Sequence, residues 1–429
     1  MVSIFARLKA GFSNPEYVFY FSLCFFVVSL YSPVSQVNNL AIVCMGLSWI
    51  YAGYYRNLKN VFKDRIAFGL LLFYVWQAIT LIYSSNKSIG SMWLEYRSPM
   101  AYLPLLLCSA QISLSNQRKV LLLFAGCTAV AVVLGLAYST YLVLSTGDAG
   151  YLYNDNLGIL FDRQAVYFGM YVNFAIAVFV YFLHKGSVTQ PALKRAIIFA
   201  LILMTVFNYL LASRVSMVVL ALFWLGYVVY LILKKKSYLN GLIVIFGMMI
   251  LVVLATKMFP KTTYRFESVT NAGYSYTNLN EVDHFNGSIS KEHWNSLNTR
   301  LAIWNCGKEV LRRNPLFGVG IGDVGDNMLE EYRKNSFYFG LKYNLNCHNQ
   351  YLDAAVSYGL SGFSVFLLGV LVLPFYISIR QRNFLLIFFL SSLAIYLSTE
   401  VMFNRNQGVT FIVFFMVLLG NRTEWRERA

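Results

Sequence analysis

Apolar residues run along this chain in long unbroken blocks separated by short polar breaks, at about 17–35, 38–55, 66–83, 99–111, 120–144, 165–183, 196–212, 215–233, 241–257, 350–379, 384–401 and 408–420. A helix needs about 20 apolar residues to cross a bilayer, so the pattern predicts an all-α polytopic membrane protein with about twelve transmembrane helices. Outer-membrane barrel strands would alternate apolar and polar residues in stretches of about ten, and these blocks do not alternate. The fourth block, PMAYLPLLLCSAQ, is short and holds two prolines, which predicts a segment that dips, kinks or leans on its neighbours. One long hydrophilic stretch interrupts the series. The expected organisation is nine spans over 1–256, a large loop with short helices over 257–347, three spans over 348–420, and a tail over 421–429.

Composition agrees with that division. Charged residues make up 13% of the 429, about half of what a water-facing surface carries, so soluble enzymes, secreted disulfide scaffolds and disordered chains are excluded. The first block, YVFYFSLCFFVVSLY, is not followed by a small-residue cleavage site and reads as a retained signal-anchor.

The net charge of +16 gains its meaning from position. With the N-terminus inside, 19 of the 35 Lys and Arg fall in the inner segments, five in the short outer loops and 11 in 257–347. Cytoplasmic loops retain positive charge, so both termini are expected in the cytoplasm and the large loop in the periplasm. The basic excess is a topology signal, and nucleic acid is not an expected partner.

Cys24, Cys44, Cys108 and Cys127 fall in spans and read as small apolar packing residues. Cys306 and Cys347 fall in the outer segment, where an oxidising compartment allows either a disulfide or two free thiols. No CxxC or Cys/His metal spacing, internal repeat, Walker motif or nucleotide fingerprint occurs. Neither a metal nor a cofactor is expected.

At mid-depth the spans hold only Gln77, Asn173 and Asn208 as strongly polar residues. An ion-coupled transporter needs ionisable groups there. Polar residues collect instead at the outer span ends: DRQ at 162–164, SR at 213–214, HN at 348–349, TE at 399–400 and NRNQ at 404–407. Chemistry is therefore expected at the outer membrane surface.

Within the loop, the first half is rich in Asn and Ser and predicts little regular structure. LNTRLAIWNCGKEVLRRN follows, with Leu301, Trp304, Val310 and Leu311 at helical spacing and Pro315 as a stop. After it come the glycine-rich turn NPLFGVGIGDVG, an amphipathic stretch, and CHNQYLDAAVSYGLSGF leading into the next span.

The arginine in LLASRVS between two spans, followed by a large loop containing NTRLAIW, NPLFGVGIG and CHNQYLDAAVSYGLSGF, resembles the bacterial O-antigen ligase and O-antigen polymerase superfamily over roughly 160–410. The resemblance implies a twelve-span glycosyltransferase of the GT-C class in the inner membrane. Such an enzyme takes a glycan from undecaprenyl diphosphate at the periplasmic face and gives it to a lipid A core sugar or to a growing glycan. Ligation to lipid A core is the first expectation and repeat-unit polymerisation the alternative. A flippase or exporter fits the hydropathy but poorly fits the empty span interiors and the single long loop.

The residues can be weighed against that chemistry directly. No nucleotide sugar is available outside the cytoplasm, so the donor must already be activated, and its leaving group is an anionic diphosphate. Guanidinium groups grip phosphate oxygens in bidentate fashion. Arg214, at a span junction with almost no loop, is either an interfacial arginine reaching for headgroups or a diphosphate ligand. Arg300, one turn before Trp304, is either a solvated helical residue or a second ligand. Arg163 and Gln164 are weaker candidates for the same role. Asn349 is a good N-cap, and His348 before it can be incidental, or can be the base that takes a proton from an acceptor hydroxyl. Glu400 and Asp353 are alternative bases, or structural hydrogen-bonding groups. Gly318, Gly320 and Gly322 are more easily read as a turn than as an anion nest.

A cysteine introduced into the Asn/Ser-rich part of the loop should react with a membrane-impermeant thiol reagent added from outside, and one beside Lys234–Lys236 should stay protected. The reverse labelling pattern would overturn the topology.

Overall fold

The computed structural model describes residues 14–110, 112–258, 274–276 and 294–420, and the regular structure among them is helical, without strands. The N-terminal Arg7 and Lys9, most of the Asn/Ser-rich half of the loop and the tail 421–429 lie outside the described residues. Every apolar block became a helix. In chain order the main helices are α1 (Pro15–Ser29), α2 (Ser35–Tyr51), α3 (Arg65–Tyr83), α4 (Lys87–Arg97), α5 (Pro99–Ser109), α6 (Leu114–Thr146), α7 (Ala165–His184) and α8 (Pro191–Leu210). They continue as α9 (Arg214–Lys234), α10 (Tyr238–Met258), α11 (Ser296–Arg313), α12 (Val324–Lys334), α13 (Gln350–Arg380), α14 (Phe384–Leu397) and α15 (Asn406–Gly420).

Among the described residues, α3, α6, α7, α8, α9 and α13 are long and apolar enough to cross a membrane. The chain is therefore a multi-pass, all-helical membrane protein. The other expected spans are helices of more limited reach. α5 has 11 residues with Pro104 inside it, about 17 Å at 1.5 Å per residue against a hydrocarbon core of about 30 Å.

Helix α7 and helix α15 occupy the middle of the bundle. Both are apolar around most of their circumference, which suits a helix with neighbours on every side, and residues 408–420 are all buried. Aromatic rings knit them together: Tyr171 stacks on Phe411 with centroids 4.2 Å apart, and Phe415 meets Phe124 at 4.6 Å and Phe174 at 5.0 Å. By contrast α10 exposes Leu239, Leu242, Ile243, Phe246, Met249 and Ile250, a face suited to lipid.

Lipid tails are as apolar as leucine, so helices in a membrane associate through close packing and interhelical hydrogen bonds. Both devices are present. α3 crosses α13 at Gly69 and Gly369, where a Cβ on Gly69 would come within 2.5 Å of the Gly369 carbonyl oxygen. The mid-depth asparagines form an interhelical network: Asn208 Nδ2 donates to Asn173 Oδ1 at 2.8 Å, and Asn173 Nδ2 donates to Tyr396 Oη at 2.8 Å and to the Ser216 carbonyl at 2.9 Å. Gln77 serves a different network, described below.

One expected span is not continuous. In α13 the helix breaks at Gly359, whose φ of 62° and ψ of −171° lie in a region open essentially to glycine alone. The glycine-rich turn 314–322 seats itself in the break. Val319 N–H donates to the Val356 carbonyl at 2.9 Å and Gly320 N–H to that of Ser357 at 2.8 Å, while Leu360 N–H donates to the Pro315 carbonyl at 2.8 Å. A helix interrupted in a membrane protein exposes backbone groups that water cannot reach, so another segment must satisfy them. Hydropathy alone cannot register this, because the block stays apolar on both sides of the break. The turn is thus a backbone tie between loop and bundle. Its far end is fixed by Asp323, whose carboxylate accepts from Ser85 N–H and Asn86 N–H, both at 2.7 Å.

Helix α11 ends at Arg313 as Pro315 predicts, but its inward stripe differs from the expected one. Ala302, Ile303, Cys306 and Val310 are buried, whereas Leu301, Trp304 and Leu311 are only partly covered. The tertiary contact with α13 and α12 selects the narrower, smaller-residue face.

Replacing Gly359 by alanine places a Cβ against the backbone of Leu316 and Phe317 and forces a disfavoured backbone conformation, which alone costs about 1–3 kcal/mol. Thermal unfolding of purified protein in detergent should show a clearly lowered midpoint for Gly359→Ala. A midpoint equal to wild type would mean that the helix runs through.

Candidate functional site

The connections expected on the outer side converge on one cavity of about 1330 Å³. Its walls come from the α1–α2 turn, from α4, from residues 154–167, from the α8–α9 junction, from the loop helices α11 and α12, and from residues 344–357 and 399–407. The first residues of α2, α7, α9, α11, α12 and α15 all line it. Each helix start carries the positive end of a dipole, so the cavity wall is suited to an anion.

Local sequence explains how the chemistry-bearing groups arrive there. Asn349 caps α13, its Oδ1 accepting from Tyr351 N–H at 2.9 Å and Leu352 N–H at 3.1 Å. This leaves His348 just outside the helix, with a left-handed φ of 42°. Two bonds hold it in that conformation. Trp304 Nε1 donates to the Cys347 carbonyl at 3.1 Å, and His348 N–H donates to Asn346 Oδ1 at 2.9 Å. Asn295 caps α11 in the same manner, with Leu297 N–H at 2.9 Å and Asn298 N–H at 3.0 Å. Arg300 then lies one turn into α11.

Glu400, in the turn after α14, joins the two pieces. Its Oε2 lies 3.2 Å from His348 Nδ1 and its Oε1 accepts from Arg300 Nη2 at 3.0 Å. Burial pushes the Glu400 carboxyl toward the neutral form, but His348 and Arg300 beside it outweigh burial and hold it below the ordinary 4.5. A carboxylate on Nδ1 makes that nitrogen the donor, which leaves the Nε2 lone pair as a proton acceptor. Arg214 extends the chain of contacts: its Nη2 donates to the hydroxyl of Ser296, the first residue of α11. Arg214, Ser296, Arg300, Glu400 and His348 thus form one connected array along the wall.

Arg163 and Gln164 also line the cavity. Arg163 is 7% exposed, and its Nη2 donates to the Leu30 carbonyl at 2.7 Å while Nε and Nη1 find no hydrogen-bond partner among the described residues. Arg300 Nε is likewise without one. Asp353 also lines the cavity; it is buried, 3.7 Å from Arg97, and accepts from Gln350 Nε2 at 3.4 Å. Its carboxylate is thus paired with a buried guanidinium, as the reading of it as a structural group expects. Arg405 sits over the Tyr167 ring at 5.9 Å. Sequence reasoning counted Arg97 and Arg405 only as outer basic residues and passed over Ser296. An arginine closing an amphipathic helix was the available signal for Arg97.

Cys306 and Cys347 are free, buried thiols. Burial pushes Cys306 up to about 11 and Cys347 well above its ordinary value, so both are protonated packing residues. Among the described residues no group of three or more His, Cys, Asp and Glu could hold a metal ion.

Residues 199–367 match the family model described as O-antigen ligase. That stretch, which holds the loop motifs, is similar to the O-antigen ligase family. The matched residues include Arg214, Arg300, Trp304 and His348 and stop short of Glu400. No curated protein matches the chain.

The carboxyl of Glu400 is depressed in the folded protein, so its pairing contributes stability that is fully present above about the unfolded value of 4.5 and is lost as pH falls through the lower folded value. Acid titration of thermal stability should show this loss in wild type and a flatter profile in Glu400→Gln. Identical acid limbs would mean that the carboxylate is not held by His348 and Arg300.

Proposed function

We propose that this protein is an enzyme of the O-antigen ligase and polymerase superfamily, that it transfers a glycan from undecaprenyl diphosphate to an acceptor sugar hydroxyl at the periplasmic face of the inner membrane, and that its reaction is ligation to lipid A core. The observation that carries the proposal is the array Arg214–Ser296–Arg300–Glu400–His348 along one cavity wall. It sets anion-gripping groups and a proton acceptor against the same space, which is what departure of a diphosphate and activation of a hydroxyl both require.

The steps follow from the residues. The diphosphate sits at the helix starts, with Arg214 and Arg300 as its main ligands and Arg163 and Gln164 lending support. Arg163, Arg214 and Arg300 all line the cavity, and charge-assisted bonds from guanidinium groups to phosphate oxygens are among the stronger hydrogen bonds. The acceptor hydroxyl gives its proton to His348 Nε2 as its oxygen bonds to the anomeric carbon. The bond from that carbon to the diphosphate breaks, and the electron pair leaves with undecaprenyl diphosphate. Glu400 steadies the imidazolium that forms. Trp304 and Asn349 keep the histidine in place. The arginines, and no metal, neutralise the leaving group in this reading.

Ligation and polymerisation share this chemistry and differ in acceptor, so purified protein should be given lipid-linked glycan with either lipid A core or a second lipid-linked glycan. Transfer to lipid A core is expected, and chain lengthening alone would assign polymerase activity. His348→Ala should retain donor binding and lose transfer by about 10²–10⁴-fold, the usual worth of a general base. Arg214→Lys and Arg300→Lys should weaken donor binding, because an ammonium lacks the planar fork; loss of a buried charged contact costs about 2–5 kcal/mol. A chelator should leave wild-type transfer intact. Undiminished transfer by His348→Ala, or undiminished donor binding by both arginine variants, would overturn the corresponding role.

A further inference from the structure

Arg97 closes α4 at the cavity, yet its guanidinium faces inward and is 3% exposed. All three of its nitrogens are engaged. Nε donates to the Phe403 carbonyl at 3.2 Å; Nη1 donates to Gln77 Oε1 at 3.0 Å and to the Tyr358 hydroxyl; Nη2 donates to Asn404 Oδ1 at 2.6 Å and faces Asp353 Oδ2 at 3.7 Å. Arg163 and Arg300 keep nitrogens without a partner, but Arg97 has each nitrogen committed to the protein. It is therefore unsuited to gripping a diphosphate.

Apart from Gln77 on α3, its partners fall into two groups that matter to the chemistry. Asp353 and Tyr358 lie on the short first segment of α13, between the Asn349 cap that places His348 and the break at Gly359. Phe403 and Asn404 lie in the turn that begins with Glu400. The other backbone group of Phe403 is tied to the same helix segment, because its N–H donates to Gln350 Oε1 at 2.9 Å. Since α13 is interrupted at Gly359, the segment carrying His348 is not braced along its axis by a continuous helix. A guanidinium offers five donors in a rigid plane, and here it braces the segment against the Glu400 turn.

We propose that Arg97 is the positioning residue of the His348–Glu400 pair, setting the helix segment that carries the base against the turn that carries its carboxylate. The inference rests on the reading of His348 as the base. Lysine at position 97 keeps a positive charge opposite Asp353 but cannot reach the four other acceptors together, so Arg97→Lys should keep the fold and loosen the pair. Displacement of a catalytic group by about 1 Å can cost about 10²-fold.

Steady-state transfer by full-length Arg97→Lys, from lipid-linked glycan to lipid A core, should show kcat reduced on that scale with donor KM near wild type. The pH dependence of kcat should move toward that of Glu400→Gln. In the Glu400→Gln background, Arg97→Lys should add little further loss, since residues acting as a unit are not additive. Arg97→Gln/Asp353→Asn, which removes both buried charges together, and Asn404→Ala take the same measurements if Arg97→Lys inserts poorly. Losses that multiply across the two backgrounds, or a raised donor KM at unchanged kcat, would overturn the inference while leaving the base assignment standing. Full transfer by both His348→Ala and Glu400→Gln would overturn the base assignment itself, and this inference with it.

Discussion

A polar group removed from water must find a partner or carry a penalty of several kcal/mol, and the arrangement of this protein follows from how that requirement is met at one end of a helix bundle. The span interiors hold amides and hydroxyls that hydrogen-bond to one another, as Asn173, Asn208, Ser216 and Tyr396 do. Ionised groups are displaced to the helix ends, where arginines, carboxylates and helix N-termini share one cavity. Concentrating charge in that space supplies the groups that the proposed reaction uses.

The same requirement explains the join between loop and bundle. A break in α13 frees backbone carbonyls and N–H groups, and the turn 314–322 occupies them. This fixes the loop on the bundle through main-chain bonds, which depend little on side-chain identity beyond the glycines that let two backbones approach. The N-terminal segment of α13 is thereby separated from the rest of its helix. His348 rides on that segment, so the features that hold it, the Asn349 cap, Trp304 and Arg97, carry weight that a continuous helix would otherwise bear.

The cavity arginines divide by what remains of their donor capacity. Arg97 has no nitrogen to spare and acts on the protein. Arg163 and Arg300 have nitrogens without partners, and Arg300 shares a carboxylate with His348. Glu400 therefore has two neighbours with different tasks in the proposed reaction, one toward the leaving group and one toward the acceptor. A carboxylate shared in this manner couples the placement of both.

The periodicity of apolar residues determined the helical class, the place of nearly every helix and the existence of one long hydrophilic segment, because long-range order along the chain is a matter of which residues tolerate lipid. The stop at Pro315, the cap at Asn349 and the candidates Arg163, Arg214, Arg300, His348 and Glu400 were also readable, since span ends are where polar residues stand out against an apolar background. Helix length was less readable: α1 and α14 end at Ser29 and Leu397, short of the ends of their apolar blocks. Tertiary structure alone decided the break at Gly359, the buried stripe of α11, the removal of Asp353 into a pair with Arg97, and the meeting of Glu400 with residues 52 and 100 positions away. Those features depend on which helix lies beside which, and a one-dimensional pattern of hydropathy carries no record of neighbours across the bundle.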